Sequence, residues 1–105
     1  MDLVFRALGD ASRRRLLDRL HARNGQTLSE LCRSLDMTRQ AVTKHLNILE
    51  EANLVVTQKE GRNKLHYLNP VPIHDLAERW ISKFERSRLE ALSDLKKQLE
   101  GESND

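Results

Sequence analysis

A run of polar side chains between residues 38 and 51 has the chemistry needed to bind nucleic acid. If the segment is helical, these residues lie at its start and along one face: Thr38, Arg39, Gln40, Thr43, Lys44 and Asn47. An arginine can bind guanine through two hydrogen bonds, a glutamine can bind adenine in the same way, and a threonine methyl can contact thymine. A lysine or a threonine hydroxyl can instead bind phosphates, which position a protein without reading the base sequence. This segment therefore predicts contacts with double-stranded DNA.

A second basic group lies near a predicted turn further along the chain. Residues 54–57 (LVVT) are rich in β-branched side chains, residues 60–63 (EGRN) are typical of a turn, and residues 65–68 (LHYL) form the returning strand. The pattern predicts a β-hairpin over residues 55–68, with Arg62 and Lys64 near its tip. Such a hairpin, called the wing here, can reach an adjacent minor groove of DNA or its phosphates.

The segment 38–51 is preceded by the signals of a helix and a tight turn. Thr27 and Glu30 form a capping-box pattern at the start of a third helix, and Asp36 and Met37 suit a turn. Thr38 is placed to cap the fourth helix. The apolar residues of that helix recur at helical spacing, at Val42, Leu46 and Leu49. A capped helix, a turn and a second capped helix match the helix-turn-helix layout, in which the second helix enters the major groove.

The remaining elements complete a mostly α-helical fold. A short first helix stops at Gly9, Asp10 or Ser12 can cap a second helix, and Gly25 follows its end. Residues 73–99 contain no Gly or Pro and carry apolar residues at helical spacing, which predicts one long amphipathic helix. The expected order is α1-α2-α3-α4-β1-β2-α5, a winged helix-turn-helix with a β-hairpin wing, in a single domain over residues 1–105.

Size and composition restrict the class of protein. The chain has 105 residues, a formal net charge of +2 and one cysteine, Cys32. No segment approaches the roughly 18 apolar residues that cross a bilayer, and the first residues lack a secretory signal. We therefore expect a cytoplasmic protein without a membrane partner. No glycine-rich phosphate loop, Cys–His pair or acid–base pair is evident, so the sequence predicts neither an enzyme nor a cofactor.

Apolar side chains near both ends of the chain suggest a homodimer. They are Leu3, Val4 and Phe5 in the first helix and Trp80, Ile81 and Phe84 in the last. A chain of this size has a limited core with which to cover both groups. Packing against a two-fold mate would place two recognition helices about 34 Å apart, one turn of DNA. The alternative is that both helices pack within one monomer.

Three segments resemble those of the ArsR family of bacterial repressors. Residues 7–17 (ALGDASRRRLL) resemble the family's opening motif, and residues 40–49 (QAVTKHLNIL) resemble its recognition helix. Residues 52–55, followed by 60–62 and 67–68, are similar to its wing. The resemblance covers roughly residues 3–70.

The resemblance implies a winged helix-turn-helix homodimer that binds an operator and releases it on some signal. A repressor of its own or a neighbouring operon is the expected function. The sequence departs from the family pattern at Ala11, where Pro is common, and at Asn53, where Gly is common. Asn53 still fits, because asparagine tolerates the left-handed conformation better than most residues.

The ligands of the family's metal sites are missing here. In residues 30–35 (ELCRSL) Cys32 has no second cysteine beside it, so the chain resembles the members that lack the metal-binding cysteine pair. In the last helix His74, Asp75 and Glu78 are not followed by another histidine. No metal site is therefore predicted, and Cys32 is expected to be a small core residue.

Two alternatives to a simple DNA-binding repressor remain open from the sequence. A redox or soft-metal signal could still use the Cys32 thiol. A module of the same fold could also bind another protein through its last helix or its wing.

Overall fold

The first two helices are joined by a short capped turn. In the computed structural model, which describes residues 1–81 and 86–103, α1 spans Asp2–Leu8 and α2 spans Ala11–Ala22. The Asp10 carboxylate caps α2 by accepting from the backbone N–H groups of Ser12 at 2.8 Å and Arg13 at 3.1 Å. The hydrogen bond from Arg13 is the main cause that lowers the pKa of Asp10 below its ordinary value. Of the two predicted caps, the structure uses Asp10.

The helix-turn-helix follows the predicted boundaries closely. Helix α3 spans Leu28–Leu35 and α4 spans Arg39–Glu51. The capping box at Thr27 is complete, because its hydroxyl accepts from the Glu30 N–H at 3.2 Å and the Glu30 carboxylate accepts from the Thr27 N–H at 3.1 Å. Asp36 ends α3 in the left-handed conformation, with φ of 52°. The turn is therefore tight enough to start α4 two residues later, at a Thr38 cap.

A single core lies between the four helices and the base of the wing. Leu16 and Leu20 of α2, Leu31 of α3 and Leu49 of α4 are fully buried together with residues at the end of α4 and the start of the wing. Burying a leucine side chain contributes roughly 1.5–3 kcal/mol, so the apolar stripes of α2, α3 and α4 are the main determinants of how these helices pack. The core thereby fixes which face of α4 is left outside.

The wing is a regular two-stranded hairpin. Strands β1 (Val55–Glu60) and β2 (Asn63–Leu68) pair antiparallel, with Val55 opposite Leu68 and Glu60 opposite Asn63. Gly61, with φ of 62°, begins the two-residue loop, a position where a positive φ favours glycine. The predicted hairpin over residues 55–68 is confirmed.

One strand pairing was not predicted from the sequence. Gln26, between α2 and α3, forms an isolated antiparallel bridge with His66 of β2. The His66 N–H donates to the Gln26 carbonyl at 2.9 Å, and the Gly25 N–H donates to the His66 carbonyl at 2.9 Å. The wing is therefore attached by its second strand to the segment that precedes the helix-turn-helix.

The predicted helix over residues 73–99 corresponds to two helices in the described residues. Helix α5 spans Val71–Ile81 and α6 spans Arg86–Ser103, while residues 82–85, including Phe84, lie outside the described residues. The chain divides into two compact units, Met1–His74 and Asp75–Asp105. The first unit contains α1 to α4 and the wing.

Apolar side chains are exposed in both units. On α1, Leu3 and Phe5 are exposed, Phe5 at 46%, whereas Val4 is half-buried and packs against the core. In the second unit, Trp80 and Ile81 are exposed at 48% and 61%. None of the helices in the described part of the chain has the length and apolar character needed to span a bilayer.

We expect Asn53 to carry a conformational cost that a glycine would relieve. Its φ of 61° lies in the left-handed region, where a side chain with a Cβ costs roughly 1–2 kcal/mol and asparagine is among the better tolerated residues. Asn53→Ala should lower the free energy of unfolding by about 1 kcal/mol, while Asn53→Gly should not lower it. Urea denaturation of the three proteins measures this, and equal losses in both variants would contradict it.

Candidate nucleic-acid interface

Helix α4 presents two faces of opposite character. Its apolar residues Val42, Leu46 and Leu49 are buried in the core. The polar residues predicted to face outward are all exposed in the structure: Arg39, Gln40, Thr43, Lys44 and Asn47. The first four of them line one shallow depression on the helix surface. The structure therefore brings these predicted site residues together, with their donor and acceptor groups accessible from solvent.

The start of α4 is held in place by side chains of the helix-turn-helix itself. The Thr38 hydroxyl accepts from the Ala41 N–H at 3.1 Å, which leaves its own O–H able to donate to another group. The Arg39 guanidinium donates to the Ser29 hydroxyl at 3.2 Å, so it reaches across to the first turn of α3. Arg39 is therefore held beside the N-terminus of α3 rather than extended freely into solvent.

A groove of about 450 Å³ lies between the first turn of α3, the outer face of α4 and the wing. Its polar and charged lining comes from all three elements and consists of Thr27, Ser29, Arg39, Thr43, Asn47, Glu50, Arg62, Asn63, Lys64 and His66. Arg62 and Lys64, which were predicted from the wing alone, thus share one concave surface with Arg39, Thr43 and Asn47 of α4. Gln40 and Lys44 lie outside this groove lining, on the neighbouring depression.

The base of the wing is fixed by buried hydrogen bonds at one wall of the groove. His66 is 4% exposed, and its Nδ1 donates to the Gln26 carbonyl at 2.9 Å, because a carbonyl oxygen only accepts. The Gln26 side-chain amide donates to the carbonyls of Arg19 at 3.0 Å and Arg23 at 2.7 Å. The wing is thereby tied to the end of α2 through groups that leave little freedom at its base.

The distal part of the wing is connected to α4 by an ion pair. The Lys64 ammonium lies 3.6 Å from a carboxylate oxygen of Glu50, in the last turn of α4. Glu50 is the single acidic side chain among the described residues that line the groove, against Arg39, Arg62 and Lys64. The groove therefore combines an excess of positive charge with one carboxylate that already has a partner.

Beneath α4, Arg13 links three helices. Its Nε and Nη2 donate to the carbonyls of Ala7 and Arg6, each at 2.9 Å, and so satisfy the end of α1. Its Nη1 lies 3.3 Å from His45 Nδ1 on α4, which must accept because a guanidinium only donates. Arg13 is thus a structural residue of α2 that fixes α4 relative to α1.

Several residues of the groove were not found from the sequence. Ser29, Glu50, Asn63 and His66 belong to it because of how α3, α4 and the wing meet. The capping box at Thr27 gave the start of α3, but no local pattern shows that this start faces the wing. Glu50, a half-buried acidic residue one turn beyond Asn47, matched no sequence motif.

The described residues contain neither a cluster of metal ligands nor a fully buried Cys32. Among the described residues, His, Cys, Asp and Glu side chains form no group of three or more that could hold a metal ion. Cys32 has a free thiol, is half-buried and packs against the hydrophobic core. Its position is that of a residue at the edge of the core.

Two capped helices joined by a tight turn, followed by a hairpin that shares a groove with the second helix, define a winged helix-turn-helix protein. A helix-turn-helix domain model matches residues 8–58 of the chain.

Known proteins with similar sequences are transcriptional regulators. The uncharacterized HTH-type transcriptional regulator YuzN of Bacillus subtilis is 42% identical over 86 residues, which cover 76% of this chain and 94% of YuzN. The transcriptional repressor SdpR of the same organism is 27% identical over 84 residues, covering 80% of this chain and 91% of SdpR. An ArsR-like transcriptional regulator from Rhodococcus sp. RHA1 has a similar structure, with a TM-score of 0.74, 31% identity and coverage of 95% and 90% of the two chains.

The chain belongs to the ArsR family of winged helix-turn-helix transcriptional regulators. Both the resemblance predicted from residues 3–70 and the predicted fold class are confirmed by these comparisons. The relatives are named as transcriptional regulators and not as enzymes. The chain is therefore a transcriptional regulator with a helix-turn-helix DNA-binding domain.

We expect Arg13→Lys to destabilise the fold. A lysine ammonium has a single nitrogen, so it cannot donate to two carbonyls and an imidazole in the positions that the three nitrogens of a planar guanidinium reach. Loss of two partly buried hydrogen bonds and one exposed hydrogen bond should lower the free energy of unfolding by about 1–3 kcal/mol. Arg14→Lys is the matched control, since exposed Arg14 makes one hydrogen bond to the Leu8 carbonyl. Urea denaturation that gave the same small loss for both variants would contradict the role assigned to Arg13.

Proposed function

We propose that this protein binds an operator as a homodimer and represses transcription, reading the major groove with residues 38–51. The observation that carries the proposal is the exposed polar face of α4, which opens into a groove shared with the wing. A groove bordered by Arg39, Arg62 and Lys64 attracts a polyanion, and phosphate neutralisation supplies much of the affinity of DNA-binding proteins. The SdpR relative, which is a transcriptional repressor, supports the direction of regulation.

In this proposal the first turns of α4 contact base edges. Arg39 and Gln40 have the side chains that bind guanine and adenine through paired hydrogen bonds, and Thr43 offers a methyl to thymine. Arg39 must exchange its hydrogen bond to Ser29 for one to a base, which costs little because the Ser29 hydroxyl is exposed to water. Thr38, Lys44 and Asn47 contact phosphates or neighbouring bases and fix the register of the helix on the duplex.

The wing supplies contacts outside the major groove. Arg62 lies in the two-residue loop at its tip, and Lys64 follows in β2. Both side chains can reach the backbone or the adjacent minor groove when α4 lies in the major groove. Because the wing is anchored through His66 and Gln26, its tip is held near the recognition helix before any DNA is bound.

The proposed dimer uses exposed apolar side chains of the first and last helices. Leu3 and Phe5 on α1 and Trp80 and Ile81 on α5 are exposed, and Phe84 was predicted to join them. Val4 packs against the core, so within this set we expect it to support α1 rather than to meet the partner directly. Two-fold association would place two copies of α4 about one turn of DNA apart and would match a palindromic operator.

A protein of this kind acts in the cytoplasm, where the DNA is. A single-domain regulator over residues 1–105, in which the C-terminal helices contribute to dimerisation, fits this function. No metal or cofactor is part of the proposal.

The experiment that tests base reading compares Arg39→Ala and Gln40→Ala with the unmodified protein. Each protein is titrated with a duplex taken from the DNA upstream of its own gene, the upstream duplex, and with a scrambled duplex. Each variant should lose about 1–3 kcal/mol of binding free energy on the upstream duplex and much less on the scrambled one, because a base contact is lost. Dissociation constants from fluorescence anisotropy at fixed salt give the result. Unchanged affinity and unchanged preference in both variants would place the readout elsewhere.

Arg62→Ala provides the contrasting control for a phosphate contact. It should weaken both duplexes alike and reduce the slope of log K against log salt by about one unit. If Arg62→Ala instead changed the preference between the two duplexes, the wing would be reading bases and its proposed role would be wrong.

The dimer is tested with Phe5→Glu, which places a charge in the proposed apolar interface. Burying a phenylalanine contributes roughly 1.5–3 kcal/mol, so the dimer dissociation constant should rise at least about ten-fold. Sedimentation equilibrium measures it, and a circular dichroism melt verifies the fold. Arg15→Glu, at an exposed position of α2, is the control. A monomeric unmodified protein, or a Phe5→Glu variant that dimerises as well as the control, would exclude this interface.

A further inference from the structure

Glu50 is the one carboxylate among the described residues that line the groove, and it has no evident use in binding DNA. Glu50 lines the groove together with Arg62 and Lys64 of the wing, the two residues that we propose to contact phosphates. A carboxylate at that position repels phosphate, so in a protein that binds DNA its presence calls for a physical explanation.

The geometry points to Glu50 as a residue that lowers the affinity of the wing for phosphate, because its carboxylate neutralises the charge of the Lys64 ammonium. This inference rests on the proposed DNA-binding function and concerns the same groove. The Lys64 ammonium lies 3.6 Å from the Glu50 carboxylate, with side-chain exposures of 59% and 26%. The pair itself has no net charge, although a lysine on a wing would by itself add one positive charge.

The register of the wing explains why Lys64 is the residue that needs a counter-charge. Lys64 lies directly opposite Lys59 in the hairpin, and directly opposed residues project from the same face of the sheet. Two like charges in that position repel each other. The carboxylate of Glu50 offsets this repulsion in the free protein and draws the Lys64 side chain toward α4.

Arg62 and Lys64 then differ in what they offer to DNA. Arg62 lies in the wing loop, and within the part of the chain that the structure describes it forms no ion pair with a carboxylate. Lys64 must give up its pair with Glu50 before it can bind a phosphate fully, and the remaining carboxylate then lies unneutralised beside the backbone. Glu50 therefore lowers the attraction of the wing for any duplex, whatever its base sequence.

The test is Glu50→Gln, which keeps the size and hydrogen-bonding ability of the side chain and removes its charge. Dissociation constants for the upstream duplex and for a scrambled duplex are measured between 50 mM and 200 mM salt. Both duplexes should bind about two- to five-fold more tightly, the range expected for a partly exposed ion pair. The salt slope should become steeper by about 0.9, because one more phosphate is neutralised.

Three further variants separate this effect from a general change in charge. Lys64→Gln should weaken binding, because it leaves Glu50 without a partner, and the double variant should return close to the affinity of the unmodified protein. Glu51→Gln is the matched control: Glu51 is the next residue of α4, is exposed and is not part of the groove lining. It should leave the salt slope unchanged.

The inference is overturned if Glu50→Gln binds duplexes no better than Glu51→Gln, or more weakly than the unmodified protein. Weaker binding would show that the ion pair holds the wing in its binding position. Elution from a heparin column keeps this test separate from the proposed function, since heparin is a polyanion without bases. Suppose that neither the unmodified protein nor any variant binds the duplexes, but Glu50→Gln elutes from heparin at higher salt than Glu51→Gln. The proposed operator binding would then be wrong, while the role of Glu50 would stand.

Discussion

The arrangement of the whole groove depends on burial of one apolar stripe of α4. Val42, Leu46 and Leu49 pack against leucines of α2 and α3, and this contact determines the rotation of α4 about its own axis. A helix rotated by one residue would bury Thr43 and expose Val42, and the site would be lost. The free energy of apolar burial thus determines which face of α4 lies outside. Arg13 further fixes the orientation of α4, because it bonds both the end of α1 and His45 of α4.

A second constraint sets the distance between α4 and the wing. The bridge between Gln26 and His66 attaches β2 to the chain before α3, so the helix-turn-helix and the hairpin share a rigid boundary. Buried polar groups are costly unless they are hydrogen-bonded, and here the His66 ring, the Gln26 amide and the backbone groups on both sides have partners. The two parts of the groove are therefore organised in the free protein, which would lower the entropic cost of the proposed association with DNA.

Local patterns were sufficient for the elements of residues 1–70 and insufficient for the contacts between them, while the single helix predicted over residues 73–99 corresponds to two helices. The caps at Asp10, Thr27 and Thr38 and the wing loop at Gly61 follow from rules that act within a few residues, so they were predicted from the sequence. The bridge from Gln26 to His66 and the pair of Glu50 with Lys64 join residues far apart in the chain, and no short motif encodes such distances. The exposure of the polar residues of α4 was predictable from the helical repeat of 3.6 residues per turn. The participation of Ser29 and His66 in the groove could be seen only in the tertiary structure.

The most direct test of the central claim is the map of backbone amide shifts when a duplex from the upstream region is added to the ¹⁵N-labelled protein. The largest changes should occur in the first two turns of α4, in the first turn of α3 and at the wing tip around Arg62, because these elements border the groove. Small changes there, with the largest changes instead in α2 around Arg19 or in α6, would contradict the assignment of this groove as the DNA-binding surface.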